Sequence, residues 1–129
     1  MRMEYWGQRQ SPLRMARKDT FTLEEWAHLA KQARYDPEIL AGLLDIGPRQ
    51  LCRYTRELFN TSPREWLDER RLADAAFLLQ TNDLIKGIAF DLGFKTVSHF
   101  SHKFKEHYGV SPKEYKEQVE RFRKYYDQH

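Results

Sequence analysis

Residues 84–112, LIKGIAFDLGFKTVSHFSHKFKEHYGVSP, restrict this chain to a narrow set of folds. Ile85, Ile88, Ala89 and Leu92 recur at helical spacing, which gives a short helix one buried side. Ala89 is small where a crossing helix needs close approach. Gly93 follows the last periodic residue, where a chain turning out of a helix needs positive φ. Thr96 then stands at the cap of a second helix with an inward stripe of Val97, Phe100, Phe104 and Tyr108, and Gly109 stops it. The segment predicts helix, glycine turn and helix, the second helix carrying a basic free face.

The same grammar occurs earlier, at residues 36–63, DPEILAGLLDIGPRQLCRYTRELFNTSP. Asp36 caps and Pro37 opens a helix holding Ile39, Leu40, Leu43 and Leu44. Ile46 and Gly47 are expected to make the turn, and Pro48 to start a second helix holding Leu51, Tyr54 and Leu58. Asn60 takes the place of Gly109, as the alternative residue that tolerates the left-handed conformation. Each copy closes with Ser-Pro and a following aromatic: Ser62, Pro63 and Trp66, then Ser111, Pro112 and Tyr115. Internal repetition in so short a chain is architectural. It predicts two helix-turn-helix units in tandem, a motif whose second helix enters a DNA major groove.

At 129 residues the chain makes one domain, or two small subdomains sharing a long element. No apolar run approaches the roughly 20 residues that span a membrane. The N-terminus lacks the apolar centre of a signal peptide. A lone cysteine excludes an intrachain disulfide and suits a reducing cytoplasm, where the chain is expected to act. A net charge of +3 is modest, and its distribution says more. Residues 22–45 set Lys31 and Arg34 against Glu24, Glu25, Asp36, Glu38 and Asp45. The second helix of the first unit sets Arg49, Arg53 and Arg56 against Glu57 alone. The corresponding stretch of the second unit sets Lys95, Lys103 and Lys105 against Glu106, with His99, His102 and His107 beside them. Positive charge therefore gathers on the two helices that would face phosphates, and on the N-terminal arm. An ordinary solvated face is the competing account of charge alone.

Along the chain, residues 1–20 read as a basic, flexible arm and residues 21–61 as the first subdomain, opening with an amphipathic helix over 21–35. Leu23, Trp26, Ala27, Ala30 and Ala33 are its inward candidates. Residues 62–81 form a connector, helical from Pro63 to about Gln80, and residues 82–129 the second subdomain. About 18 helical residues span roughly 27 Å, near the roughly 34 Å between successive major-groove faces on one side of B-DNA. Such a connector would let one monomer present both units to a duplex. The last helix, from Pro112 to about Tyr126, carries a stripe of Tyr115, Val119, Phe122 and Tyr126. Packing within the chain, against Met3, Tyr5 and Trp6 of the arm, is the expectation; a dimer or polymerase-facing surface is the alternative.

Ile88-Ala89, Gly93-Phe94, Phe100, Phe104-Lys105, Gly109, Ser111-Pro112 and Tyr115 together resemble the DNA-binding domain of the AraC/XylS family of bacterial transcription regulators. Leu40-Ala41, Leu51, Arg53, Ser62-Pro63 and Arg71-Leu72 extend the resemblance, which covers about residues 21–116. The size is similar to that of the standalone MarA/SoxS type. The resemblance implies an all-α fold of seven helices, two helix-turn-helix subdomains joined by a long central helix. It implies double-stranded DNA as partner, contacted in two major grooves on an asymmetric site, and activation through RNA polymerase. The family's base-reading positions fall on Arg49, Cys52 and Arg53, and on Val97, Ser98, Ser101 and His102. Arg56, Lys95, Lys103 and Lys105 complete the expected DNA-facing set. Arginine at 53 suits bidentate reading of guanine, and histidine at 102 gives a shorter, pH-dependent contact. Thr55 replaces a usual core phenylalanine and Gly47 a usual serine cap.

Other readings of these residues are less specific. Arg53 lies four residues from Glu57, the spacing of an ordinary helix-surface ion pair. Cys52 reads as an inert helical thiol before a redox sensor. His99 and His102 lie three apart, a spacing that can bind metal, but no cysteine or carboxylate completes a ligand set, and neither metal nor cofactor is expected. There is no nucleophile elbow and no glycine-rich phosphate loop, so an enzyme is not expected. The functions left open are a DNA-binding regulator, a protein-interaction or effector-sensing module on the same fold, and the DNA-binding end of a longer ligand-responsive regulator.

Overall fold

The computed structural model describes residues 21–81 and 84–128; the expected arm, with Met3, Tyr5 and Trp6, lies outside them. The described residues form seven helices and no strand: α1 (Leu23–Gln32), α2 (Pro37–Leu44), α3 (Pro48–Phe59), α4 (Pro63–Leu78), α5 (Ile85–Asp91), α6 (Val97–Tyr108) and α7 (Pro112–Gln128). The all-α expectation holds. The chain divides into two compact units, the first ending at Arg70 and the second starting at Arg71, so α4 contributes to both.

In the first unit each helix start has a local cause. Thr22 and Glu25 form a reciprocal capping box at α1, with bonds of 3.1 and 2.8 Å. Asp36 accepts from the Glu38 and Ile39 amides, and Pro37 supplies the fixed φ that opens α2. Ile46 and Gly47 stand in the turn into α3, as expected, and Asp45 joins them. The left-handed residue of this turn is Asp45, at φ 59°, whereas Gly47 is the extended N-cap of α3. Aspartate tolerates this conformation, so no glycine is required there. Gly47 makes no side-chain cap bond, and Pro48 follows it as the first residue of α3.

The core of this unit gathers Trp26, Leu29, Leu40, Leu44, Leu51, Trp66 and Leu67. Phe59 stacks on Trp66 at 4.7 Å between centroids, and both present ring edges or faces to Trp26. Thr55 is fully buried, and its hydroxyl donates to the Leu51 and Cys52 carbonyls at 3.2 Å each. The hydroxyl is thus satisfied within its own helix. Leu23, an inward candidate, is 75% exposed, and Ile39 is 44% exposed. Leu23 is the first residue of α1 and Ile39 the third of α2.

The second unit buries Leu72, Ala75 and Leu79 of α4 with Ile88, Ala89, Leu92, Phe94, Phe100 and Phe104. Gly93 leaves α5 at φ 84° and Gly109 leaves α6 at the same angle, as their places in the sequence require. Thr96 caps α6 through the His99 amide at 3.0 Å. Val97 and Tyr108, assigned to the inward stripe, stand at its margins and are 39% and 37% exposed. On α7, Tyr115 and Val119 are half-buried, but Phe122 and Tyr126 are exposed, against the packing expected of that stripe. Arg123 donates to the Gln80 carbonyl and ties this stretch of α7 to the turn that follows α4.

Candidate nucleic-acid interface

α3 and α6 occupy corresponding places in the repeat, and the correspondence extends to their ends. α3 stops at Asn60 with φ 58° and α6 at Gly109 with φ 84°. Each is followed by a Ser-Pro-x-Glu segment that opens the next helix. Ser62 accepts from the Glu65 amide at 3.1 Å, and Thr61 and Ser62 donate to the Glu65 carboxylate at 2.8 and 3.3 Å. Ser111 accepts from the Glu114 amide at 3.1 Å, and its own amide donates to the Glu114 carboxylate at 2.9 Å. The Thr61 hydroxyl, then Ser62, hold the Glu65 carboxyl below its ordinary value; the Ser111 amide does the same for Glu114. Both capping boxes are present in the sequence as S-x-x-E, and they satisfy amides at the starts of α4 and α7.

On α3, Arg49, Cys52, Arg53 and Arg56 occupy the i, i+3, i+4 and i+7 positions and are all exposed. They share one face, opposite the buried Leu51 and Thr55. Gln50 and Tyr54 flank it. The Gln50 amide nitrogen donates to the Tyr54 hydroxyl at 3.0 Å, and Arg53 Nη2 donates to the Gln50 carbonyl oxygen. Gln50 lies off the face that helical spacing picks out, and its signal in the sequence is a hydrogen-bonding side chain three residues before an arginine. Arg56 lies near Glu65, where its charge adds to the lowering of that carboxyl.

On α6, Ser98, His102 and Lys105 are exposed, Ser101 is half-buried, and helical spacing gathers all four on one side. His102 Nε2 lies 3.5 Å from the Glu106 carboxylate, an ion pair when the imidazole is protonated. Lys95 is exposed in the turn before Thr96, and Val97 is at the first turn of α6. Lys103 is half-buried and leaves the helix on another flank, apart from Ser98 and His102. Lys105 lies near Glu114 as Arg56 lies near Glu65. His99 turns an edge contact to Phe94 at 5.6 Å. Among the described residues, no group of three or more His, Cys, Asp or Glu is placed to hold a metal ion. No helix among them is long and apolar enough to cross a membrane.

A profile of the helix-turn-helix domain family matches residues 40–118, a span that includes α3, α6 and both turns. A solved AraC-type DNA-binding regulator from Chromobacterium violaceum has the same fold, with a TM-score of 0.66 and 29% identity, covering 75% of this chain and 90% of that one. The chain belongs to the AraC-type helix-turn-helix family. The DNA-binding domain of AdpA, solved in complex with a target DNA, is similar at TM-score 0.67 and 27% identity, covering 76% of this chain and 91% of that one. Among curated relatives, the transcriptional activator RhaS of Mannheimia succiniciproducens is 33% identical over 90 residues, 69% of this chain and 34% of that protein. The chain spans 22% to 28% of the length of three further regulators that it matches. Within this AraC-type chain, the match takes in both candidate recognition helices and stops inside α7.

Proposed function

We propose that this chain is a sequence-specific DNA-binding module of a transcription regulator, an activator, that places α3 and α6 in adjacent major grooves of one duplex. The observation that carries the reading is the doubled face: α3 and α6 each bury one stripe and leave polar and basic side chains exposed on another. Arg53 is the strongest base reader, since a guanidinium can address guanine through two parallel bonds. Arg49, Cys52, Val97, Ser98, Ser101 and His102 are its companions at base edges. Lys95, Lys105 and Arg56 supply phosphate contacts; Lys103 reaches a phosphate from the flank of α6. The complex formed by the AdpA domain supports duplex DNA as the partner. Residues 21–61 and 82–129 act as the two reading subdomains and 62–81 as their connector. A monomer acts on an asymmetric site, contacts RNA polymerase in the cytoplasm, and performs no catalysis.

The test is equilibrium binding to random-sequence duplex at several salt concentrations, followed by selection of preferred sites from a random pool. A steep salt dependence together with an asymmetric selected site is the expected result. Absence of salt-dependent duplex binding would favour the protein-interaction or effector-sensing module; a two-fold symmetric site bound only by dimers would overturn the monomer.

A further inference from the structure

We propose that Gln50 and Tyr54 are positioning residues for Arg53, holding its guanidinium in a reading pose before DNA arrives. The inference rests on Arg53 as a base reader, stated above. Residues 50, 53 and 54 lie at the i, i+3 and i+4 positions of α3, so their side chains meet on one side of the helix. Tyr54 and Gln50 are half-buried and Arg53 is exposed, so the chain of bonds runs outward from the packed surface to the tip of the arginine.

The direction of each bond gives the device its logic. A glutamine amide has an oxygen that accepts and a nitrogen that donates. The Gln50 nitrogen is committed to the Tyr54 hydroxyl at 3.0 Å, which leaves its oxygen toward Arg53 Nη2. Without Tyr54 as acceptor, the amide would be free to rotate and set its NH2 against the guanidinium, donor against donor. With it, one N–H of Arg53 is anchored and the others stay available for a base edge. An arginine ordered in advance loses less conformational freedom on contact than one that must be gathered from solvent. A neutral amide also suits a DNA surface, because it orders the arginine without cancelling its charge or repelling a phosphate.

Three variants and a reference separate this from an ordinary surface network. Arg53→Ala first identifies the base pair whose discrimination depends on Arg53. Duplexes altered at that pair, and at each other pair of the site, are then titrated against Tyr54→Phe, Gln50→Leu and Gln50→Glu at fixed salt and pH. Tyr54→Phe and Gln50→Leu should each lower discrimination at the Arg53 pair by roughly 2- to 10-fold, the cost of ordering one long side chain on binding. Discrimination at the other pairs and the salt slope should hold, and neither variant should add to Arg53→Ala. Gln50→Glu should retain discrimination at that pair while weakening binding to every duplex, since it keeps an acceptor and adds a negative charge. Full discrimination at the Arg53 pair in both Tyr54→Phe and Gln50→Leu would overturn the positioning role and leave Arg53 as a reader. Equal losses at every pair, with a lower melting temperature, would overturn it in favour of a structural role. If Arg53→Ala alters discrimination nowhere, the reading of Arg53 fails and the proposal fails with it.

Discussion

The guanidinium carbon of Arg71 lies 3.9 Å over the ring of Phe94, while its Nε donates to the Leu92 carbonyl at 2.9 Å. Between Leu92 and Phe94 sits Gly93, at φ 84°. A Cβ on Gly93 would come within 3.3 Å of Arg71 Nη2. One arginine therefore closes over the whole turn that separates α5 from α6, and the turn has to keep clear of it.

Arg71→Ala should lower stability by about 1–3 kcal/mol, through loss of a charge-assisted bond and a cation–π contact. Arg71→Lys should recover only part, since an ammonium has neither the planar stack nor the Nε donor. Gly93→Ala should cost about 1–2 kcal/mol for its left-handed backbone, and Gly93→Asn less. Urea unfolding of the four variants checks the series; equal stability of Arg71→Ala and the parent would remove the arginine from the turn.

Thr55 tests how the first unit's core is built. Its hydroxyl is satisfied by two carbonyls of its own helix, so Thr55→Val strands no partner elsewhere. Stability should change by less than about 1 kcal/mol. Thr55→Phe restores the residue usual at this place in the family, yet should destabilise by about 1–3 kcal/mol through overpacking. Thermal melts distinguish the two, and a stabilised Thr55→Phe would mean that the core holds space for a ring.

These cases show what was legible in the chain. Gly93, Asn60 and Gly109 were readable because a left-handed residue at a helix end is a local demand, met by few side chains. Asp36 and Thr96 were readable as caps for the same reason. The exposed faces of α3 and α6 followed from helical spacing. Leu23 and Phe122 were misjudged because periodicity tells which side of a helix is apolar, not how far its neighbours cover it. Asp45 was missed because a glycine two residues later drew the turn to itself. Arg71 over Phe94, and Gln50 beneath Arg53, depend on side-chain directions that an apolar pattern does not record.

Acid should loosen the first turns of α4 and α7. Glu65 and Glu114 titrate below their ordinary value in the folded chain, so each contributes stability that is present above the unfolded value, about 4.3, and lost as pH falls through the lowered folded value. Glu65→Gln and Glu114→Gln should be less stable than the parent at neutral pH and should lose less on acidification across that window. Denaturation midpoints taken from pH 7 to about pH 3 bracket the titration. Parallel curves for parent and variants would show that these carboxylates gain nothing from their caps.

Base reading and phosphate anchoring should separate between Arg53 and Lys95. Arg53 lies in the middle of α3 and Lys95 in the turn before α6, and the proposed docking assigns a base edge to the first and the sugar-phosphate backbone to the second. Arg53→Ala should cost roughly 1–3 kcal/mol on the preferred site and relax preference at one base pair. Lys95→Ala should weaken binding to all sequences alike and reduce the salt slope by about one. Titrations of both variants against the selected site, its single-pair variants and random duplex, each at several salt concentrations, supply both readouts. A uniform loss in Arg53→Ala would make it a phosphate anchor, and a loss confined to one base pair in Lys95→Ala would move base reading into the turn.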